Sequence, residues 1–171
     1  MAARVFLPDK GELEALARRM YRAMEADGCR RVCLGDMGEA DFVAVTRRGR
    51  FFPGEDDGRL LGYLLLTDFE SRTARLHFCL LRAARASALV WARRAFDTAF
   101  GSGRLDSIYG IFPRSYRHIP PLARRLGGAR LGEIPGAAWD NIRNRPVSGV
   151  VWRFTPADTR CSRTATRECR P

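Results

Sequence analysis

The runs Leu60-Leu-Gly-Tyr-Leu-Leu-Leu-Thr67 and Ala74-Arg-Leu-His-Phe-Cys-Leu-Leu81, joined by the polar segment Asp68 to Thr73, decide how this chain folds. The first is apolar and β-favouring, the second alternates with period two, and turn formers separate them, so together they predict an antiparallel hairpin. Alternation places Ala74, Leu76, Phe78 and Leu80 on one face and Arg75, His77, Cys79 and Leu81 on the other. The second strand runs into Arg82-Ala-Ala-Arg-Ala-Ser87 and then a helix from about Ala86 to Phe100. Ala88, Trp91, Ala92, Ala95 and Ala99 form its inward stripe, and Arg93 lies four residues before Asp97 outside. Gly101-Ser-Gly103 resembles a phosphate loop superficially, but it follows a helix instead of opening one, which is the place of a C-terminal cap.

Upstream, Arg4-Val-Phe-Leu reads as a short strand. Asp9 and Glu12 form a capping-box pair before a helix whose stripe is Leu13, Leu16, Ala17, Met20 and Met24, with Gly28 as its left-handed stop. Between Val32 and Asp57 the signal is poor: Phe42, Val43 and Val45 fit a short helix or a strand, and Gly54 to Gly58 reads as an acidic loop. Downstream, Ser107 to Phe112 is a strand and Pro120 to Leu126 a short helix opened by proline and closed by Gly127 and Gly128. Ala129 to Ile134 and Val147 to Phe154 are two last strands, paired across a loop containing Pro135, Gly136 and Pro146. The expected organisation is one α+β domain over 1–154, with a mixed, mainly antiparallel central sheet flanked by helices. A basic tail without periodicity, 155–171, is expected to be disordered.

The 171 residues are 46% hydrophobic, which supports one core and excludes disorder throughout and a collagenous repeat. Lys10 is the only lysine among the 30 basic residues, so the other 29 are arginine, and the formal charge is +11. Arginine grips phosphate through its bidentate fork, but a GC-rich genome also writes arginine wherever a solvated cation serves. The arginines at 18, 30, 47, 82, 93, 114, 124, 143 and 160 are scattered, without the interleaved aromatics of a nucleic-acid platform or a helix-turn-helix. Met1 to Pro8 lacks a long apolar run, and nothing approaches the roughly 20 apolar residues of a membrane span, so a soluble cytoplasmic protein with no membrane partner is expected. The five cysteines are odd in number, which argues against a disulfide framework. Cys29 and Cys33 have no second pair or histidine at zinc-site spacing, so no metal site is expected.

The element order, the strand ending Phe78-Cys-Leu-Leu-Arg82, the helix after it, the strand Ile108-Tyr-Gly-Ile-Phe-Pro113 and the run Leu122-Ala-Arg-Arg-Leu-Gly127 together resemble the GCN5-related N-acetyltransferase (GNAT) superfamily over roughly Arg4 to Phe154. The resemblance implies a sheet whose two central strands splay apart to admit acetyl-coenzyme A, with backbone amides at the following helix start holding its pyrophosphate. The coenzyme positions it implies are Leu80, Leu81, Arg82, Arg85, Ala86, Ser87 and Ala88. The family's phosphate loop, arginine or glutamine then x-x-gly-x-gly or ala, matches at Arg82, while both glycine positions are filled, by Arg85 and Ser87. Arg82, Arg85 and the Ser87 hydroxyl offer phosphate ligands in place of close backbone approach, and a solvated basic helix start remains the other reading. The family's usual asparagine position falls on Tyr116, its usual tyrosine acid falls on Ala123, and Gly128 stands for the customary aromatic.

Acyl transfer to an amine needs a base for the ammonium proton and an acid for the departing thiolate. His77 is the first candidate base; the plainer reading is a half-buried histidine bonded to a neighbour. His118 is the second candidate, and Tyr116 or Tyr109 the acid, with Glu133 and Asp68 as further carboxylates. Cys79 reads as a buried structural cysteine. Trp139 either lines a substrate cleft or packs at an edge. The function implied is acetyl transfer from acetyl-CoA to an amine of a small molecule or protein by a monomer or homodimer. The alternative is a catalytically degenerate protein of the same fold that binds nucleic acid or serves in assembly.

Overall fold

The computed structural model describes residues 4–84, 86–157 and 159. Seven strands form one sheet: β1 (Arg4–Val5), β2 (Arg50–Asp56), β3 (Arg59–Glu70), β4 (Thr73–Leu80), β5 (Ser107–Pro113), β6 (Ala129–Asp140) and β7 (Arg145–Phe154), in the order β1-β2-β3-β4-β5-β7-β6. The helices are α1 (Leu13–Asp27), α2 (Arg30–Leu34), α3 (Glu39–Arg48), α4 (Ala88–Gly101) and α5 (Ile119–Arg125), with a 3-10 turn over Arg82–Ala84. The expected α+β class and the mainly antiparallel sheet are both present.

The β3–β4 hairpin forms as its alternation requires, with Tyr63 opposite Cys79, Leu64 opposite Phe78 and Leu65 opposite His77. Its two faces feed two cores. Leu76 and Ala74 pack with Trp91, Ala95, Phe96 and Trp152 under α4 and α5, whereas Cys79 packs with Met20, Met24, Phe42, Phe51 and Tyr63 under α1 and α3. Each cluster removes a continuous apolar surface from water, which is the main favourable contribution to folding.

The stretch with poor signal resolves into α2, α3 and β2. Phe42 and Val43 are buried on α3, and Gly54 to Asp56 belongs to β2 instead of a loop. Asp57 and Gly58, both at positive φ (48° and 75°), make the two-residue turn into β3, the geometry that matches strand twist in a tight hairpin. The acidic character that suggested a loop belongs to the end of an edge-side strand and its turn. Asp9 accepts from the Gly11 and Glu12 N–H groups, each at 2.9 Å, in the turn before α1; the helix begins at Leu13 with Glu12 at its N-cap making no side-chain cap bond, so the expected capping box forms only on the Asp9 side.

The last two strands are longer than the sequence predicts. Pro135 and Gly136 sit in a bulge of β6 between Ile134 and Ala138, and Trp139 is a strand residue opposite Pro146. A bulge accommodates a proline and a glycine that would otherwise interrupt the ladder, which is why those residues read as a loop. Beyond Phe154, the Thr159 N–H donates to the Thr155 carbonyl at 3.1 Å; of the expected disordered tail, 158 and 160–171 lie outside the described residues. No helix among the described residues is long and apolar enough to cross a membrane.

Candidate active site

β4 and β5 pair in parallel only at Thr73–Ser107, Ala74–Ile108 and Arg75–Tyr109. Beyond that point β4 stays with β3 and β5 with β7, so the two central strands part. Between them opens a cavity of about 1030 Å³ that reaches from Arg82 and Ala88 past Phe78, Leu80, Ile111 and Phe112 to Tyr116, His118, Trp139 and Asn141. The Phe78 and Phe112 rings meet across the gap edge to face, centroids 5.5 Å apart.

At one end lies the strand-to-helix turn. Leu80, Arg82 and Ala88 line the cavity, whereas Leu81 is buried in the α1 side core and its N–H donates to the Leu61 carbonyl. Leu81 is thus a packing residue, contrary to its expected place at the coenzyme, because its side chain is buried in that core. The helix starts at Ala88, after the 3-10 turn, and not at Ala86, which is an exposed turn residue. Ser87 stands at the N-cap without capping; its hydroxyl points back to the Ala84 carbonyl at 3.4 Å. Among the described residues no side chain caps the first N–H groups of α4, from Ala88 to Val90, which carry the partial positive charge of a helix start. The Arg82 N–H is already taken by the Asp27 carboxylate at 3.0 Å. Arg85 lies outside the described residues.

The groups suited to proton transfer line the same cavity. His77 lines the cavity with Nε2 at 2.9 Å from the Thr67 hydroxyl. Burial, then the charge of Arg75, lowers its pKa below the ordinary 6.5, so the imidazole is neutral at physiological pH. If Nε2 carries the proton and donates to Thr67, Nδ1 is left as an acceptor. Tyr116 stacks on His118, ring centroids 5.9 Å apart. The Tyr116 hydroxyl is buried with no hydrogen-bond partner among the described residues. Desolvation, then the Asp140 charge, raises its pKa above 10, so it remains a phenol. Burial lowers the His118 pKa as well. Tyr109, Glu133 and Asp68 do not line the cavity; Glu133 pairs with Arg114 and Arg130, and Asp68 with Arg75.

Asp140 organises the loop that carries Tyr116, a role the sequence does not announce. Its carboxylate is fully buried and accepts from the Ser115 hydroxyl at 2.7 Å, from the Ile142 and Arg143 N–H groups and from the Arg143 guanidinium. These bonds, led by that of Ser115, hold its pKa at about 2. Asn141 Nδ2 donates to the Val32 carbonyl at 2.9 Å, tying the β6–β7 turn to α2. Trp139 remains 52% exposed beside the cavity.

A second unpredicted feature is the meeting of three thiols in the cavity wall. Cys33 donates to Cys79 at 2.8 Å, and a 3.6 Å hydrogen bond in which either thiol can be the donor joins Cys29 and Cys79. The contacts with Cys33 and then Cys79 lower the Cys29 pKa, the contact with Cys29 raises that of Cys33, and the contacts with Cys29 and then Cys33 raise that of Cys79. The wide separation of Cys79 in sequence hid the cluster.

A sheet parted between its central strands, with an uncapped helix start at one mouth, is the architecture of the GCN5-related N-acetyltransferases, and the chain has that fold. It aligns with the spermidine N-acetyltransferase of Vibrio cholerae in complex with CoA and spermine at a TM-score of 0.69 and 14% identity, over 92% of this chain and 97% of the other. The ribosomal-protein-S5-alanine acetyltransferase of Vibrio fischeri aligns at 0.69 and 11%, over 91% and 93%. A GNAT-family acetyltransferase of Streptococcus pneumoniae aligns at 0.64 and 12%, over 90% and 99%. No protein-family model matches the sequence, and no curated protein matches it either.

Proposed function

We propose that this protein is an N-acyltransferase that moves an acetyl group from acetyl-CoA to an amine. The observation that carries the proposal is the parting of β4 and β5 beyond Arg75 and Tyr109 into a cavity joining Arg82 and Ala88 to His77, Tyr116 and His118. The uncapped amides of α4 and the Arg82 guanidinium suit the coenzyme's diphosphate, which is bound best by aligned N–H groups and a fork of charged donors. Asp27, on the Arg82 N–H, limits that site to side-chain and α4 contacts.

In the reaction, the amine nitrogen bonds to the thioester carbonyl carbon and the C–S bond breaks. His77 takes the ammonium proton, directly or through a water, before attack; the Tyr116 phenol gives its proton to the departing sulfur, and the second N–H proton leaves to solvent, from which the phenol is restored. Both assignments agree with protonation state: a histidine kept neutral and a tyrosine kept protonated by burial. The wall facing the acceptor holds Trp139, Tyr116 and Asn141, and Asp27 is the one carboxylate lining the cavity among the described residues. That lining suits an aromatic or largely apolar amine better than a polyamine, whose several charges need several carboxylates.

Thermal shift and calorimetry with acetyl-CoA, alongside duplex DNA at two salt concentrations, test this reading. Stabilisation by the coenzyme, weakened about tenfold in affinity by Arg82→Ala, is expected. Lack of coenzyme binding at millimolar concentration, or salt-sensitive DNA binding alone, overturns it.

A further inference from the structure

We propose that Cys29, Cys33 and Cys79 form a three-thiolate site for one thiophilic d10 cation of the zinc type, set in the wall of the cavity. The inference is independent of the transferase reading. The three Sγ atoms lie within 4.8 Å of one another, with Cys29–Cys79 at 3.6 Å and Cys33–Cys79 at 2.8 Å. Thiolates about 2.3 Å from a tetrahedral ion stand roughly 3.8 Å apart, so the sulfurs take an ion by side-chain adjustments that move Cys33 and Cys79 apart by about 1 Å.

The backbone supplies the chelate. The Cys33 N–H donates to the Cys29 carbonyl at 3.1 Å, which puts the two thiols one helical turn apart on the same side of α2. Cys79 comes from the row of β4 that faces α1 to α3, and all three thiols line the cavity. Cys79 is buried whereas Cys29 and Cys33 are half-buried, so an ion has an entry path and a dry inner face. Thiolate donors select zinc-like or copper(I)-like ions over magnesium or calcium. On binding, each thiol gives up its proton to solvent, and three thiolates leave one position open, the arrangement of sites that keep an exchangeable ligand. The site also has structural work available to it, because α2 has five residues and none is buried. An ion would clamp this short helix to β4, deep in the sheet.

The experiment uses the full chain, reduced and kept free of oxygen, as wild type and with Cys161→Ser and Cys169→Ser together, so that those two thiols do not contribute. Cobalt(II) titration should saturate at one ion per chain in both proteins, with a thiolate-to-cobalt charge-transfer band and the intense visible bands of a tetrahedral site. Zinc(II) should bleach these bands and raise the melting temperature. Cys79→Ser should lower affinity by more than the roughly 10–100-fold that loss of an outer partner costs. Since Cys79 is buried and its variant is at risk of misfolding, Cys29→Ser, checked by circular dichroism, should also lose charge-transfer intensity. Absence of the thiolate band, bands that depend on Cys161 or Cys169, or bands unchanged in folded Cys29→Ser would overturn the site. So would a Cys33–Cys79 disulfide whose reduction brings no cobalt binding.

Discussion

The Asp140 carboxylate accepts a 2.7 Å hydrogen bond from the Ser115 hydroxyl, and this bond joins the β6–β7 turn to the loop that carries Tyr116 and His118. Asp140→Asn or Ser115→Ala should loosen that loop. Small misplacement of a catalytic group costs up to about 100-fold, so kcat should fall by about ten- to a hundredfold with coenzyme affinity near that of the wild type. The pH dependence follows from the lowered pKa of about 2. The bonds stabilise the fold above the unfolded-state value near 4 and are lost as pH falls toward 2. Acid melting curves of Asp140→Asn should be flatter over that window; curves parallel to wild type would contradict the role.

Tyr116→Phe removes the proposed acid while keeping the ring that stacks on His118. We expect kcat to drop by about 10²–10⁴ with little change in coenzyme affinity. Since burial raises the phenol's pKa above 10, the alkaline limb that it governs should lie above pH 10. Steady-state rates for this variant close to wild type would remove Tyr116 from the mechanism.

His77→Gln keeps a polar partner for Thr67 but cannot take a proton. The neutral imidazole is the active form, so wild-type activity should decline as pH falls through a value below 6.5, and this limb should vanish in the variant together with about 100-fold in rate. Stability carries the same sign. The unfolded chain binds the proton first as pH drops past about 6.5, which weakens the fold. Full activity of the variant from pH 6 to 9 would exclude His77 as the base.

Gly54→Ala should destabilise the protein without touching the site. A Cβ at Gly54 runs into the indole of Trp91, which is buried at the centre of the α4-side core. Overpacking of this kind costs about 1–3 kcal/mol, or roughly 2–4 °C of melting temperature for each kcal/mol in a chain of this size. Calorimetric unfolding would measure it, and an unchanged melting temperature would mean that the indole moves aside freely.

How far the sequence reaches is set by the range of the interaction concerned. The β3–β4 hairpin, the α1 and α4 stripes, the proline-opened α5 and the two-faced alternation of Ala74 to Leu81 follow from local periodicity, which is written in neighbouring residues and survives folding unchanged. The span from Val32 to Asp57 was illegible because α2 and α3 are short and partly amphipathic, so packing decides them more than propensity does. The β6 bulge was illegible because proline and glycine mark both loops and bulges.

The opening of β4 from β5 was implied by the resemblance and is present, whereas the meeting of Cys29 and Cys33 with Cys79 and the Asp140–Ser115 bond belong to tertiary structure alone. Each joins residues that lie far apart in the chain or on different elements, and no spacing rule encodes a contact whose geometry depends on where two separately determined pieces come to rest.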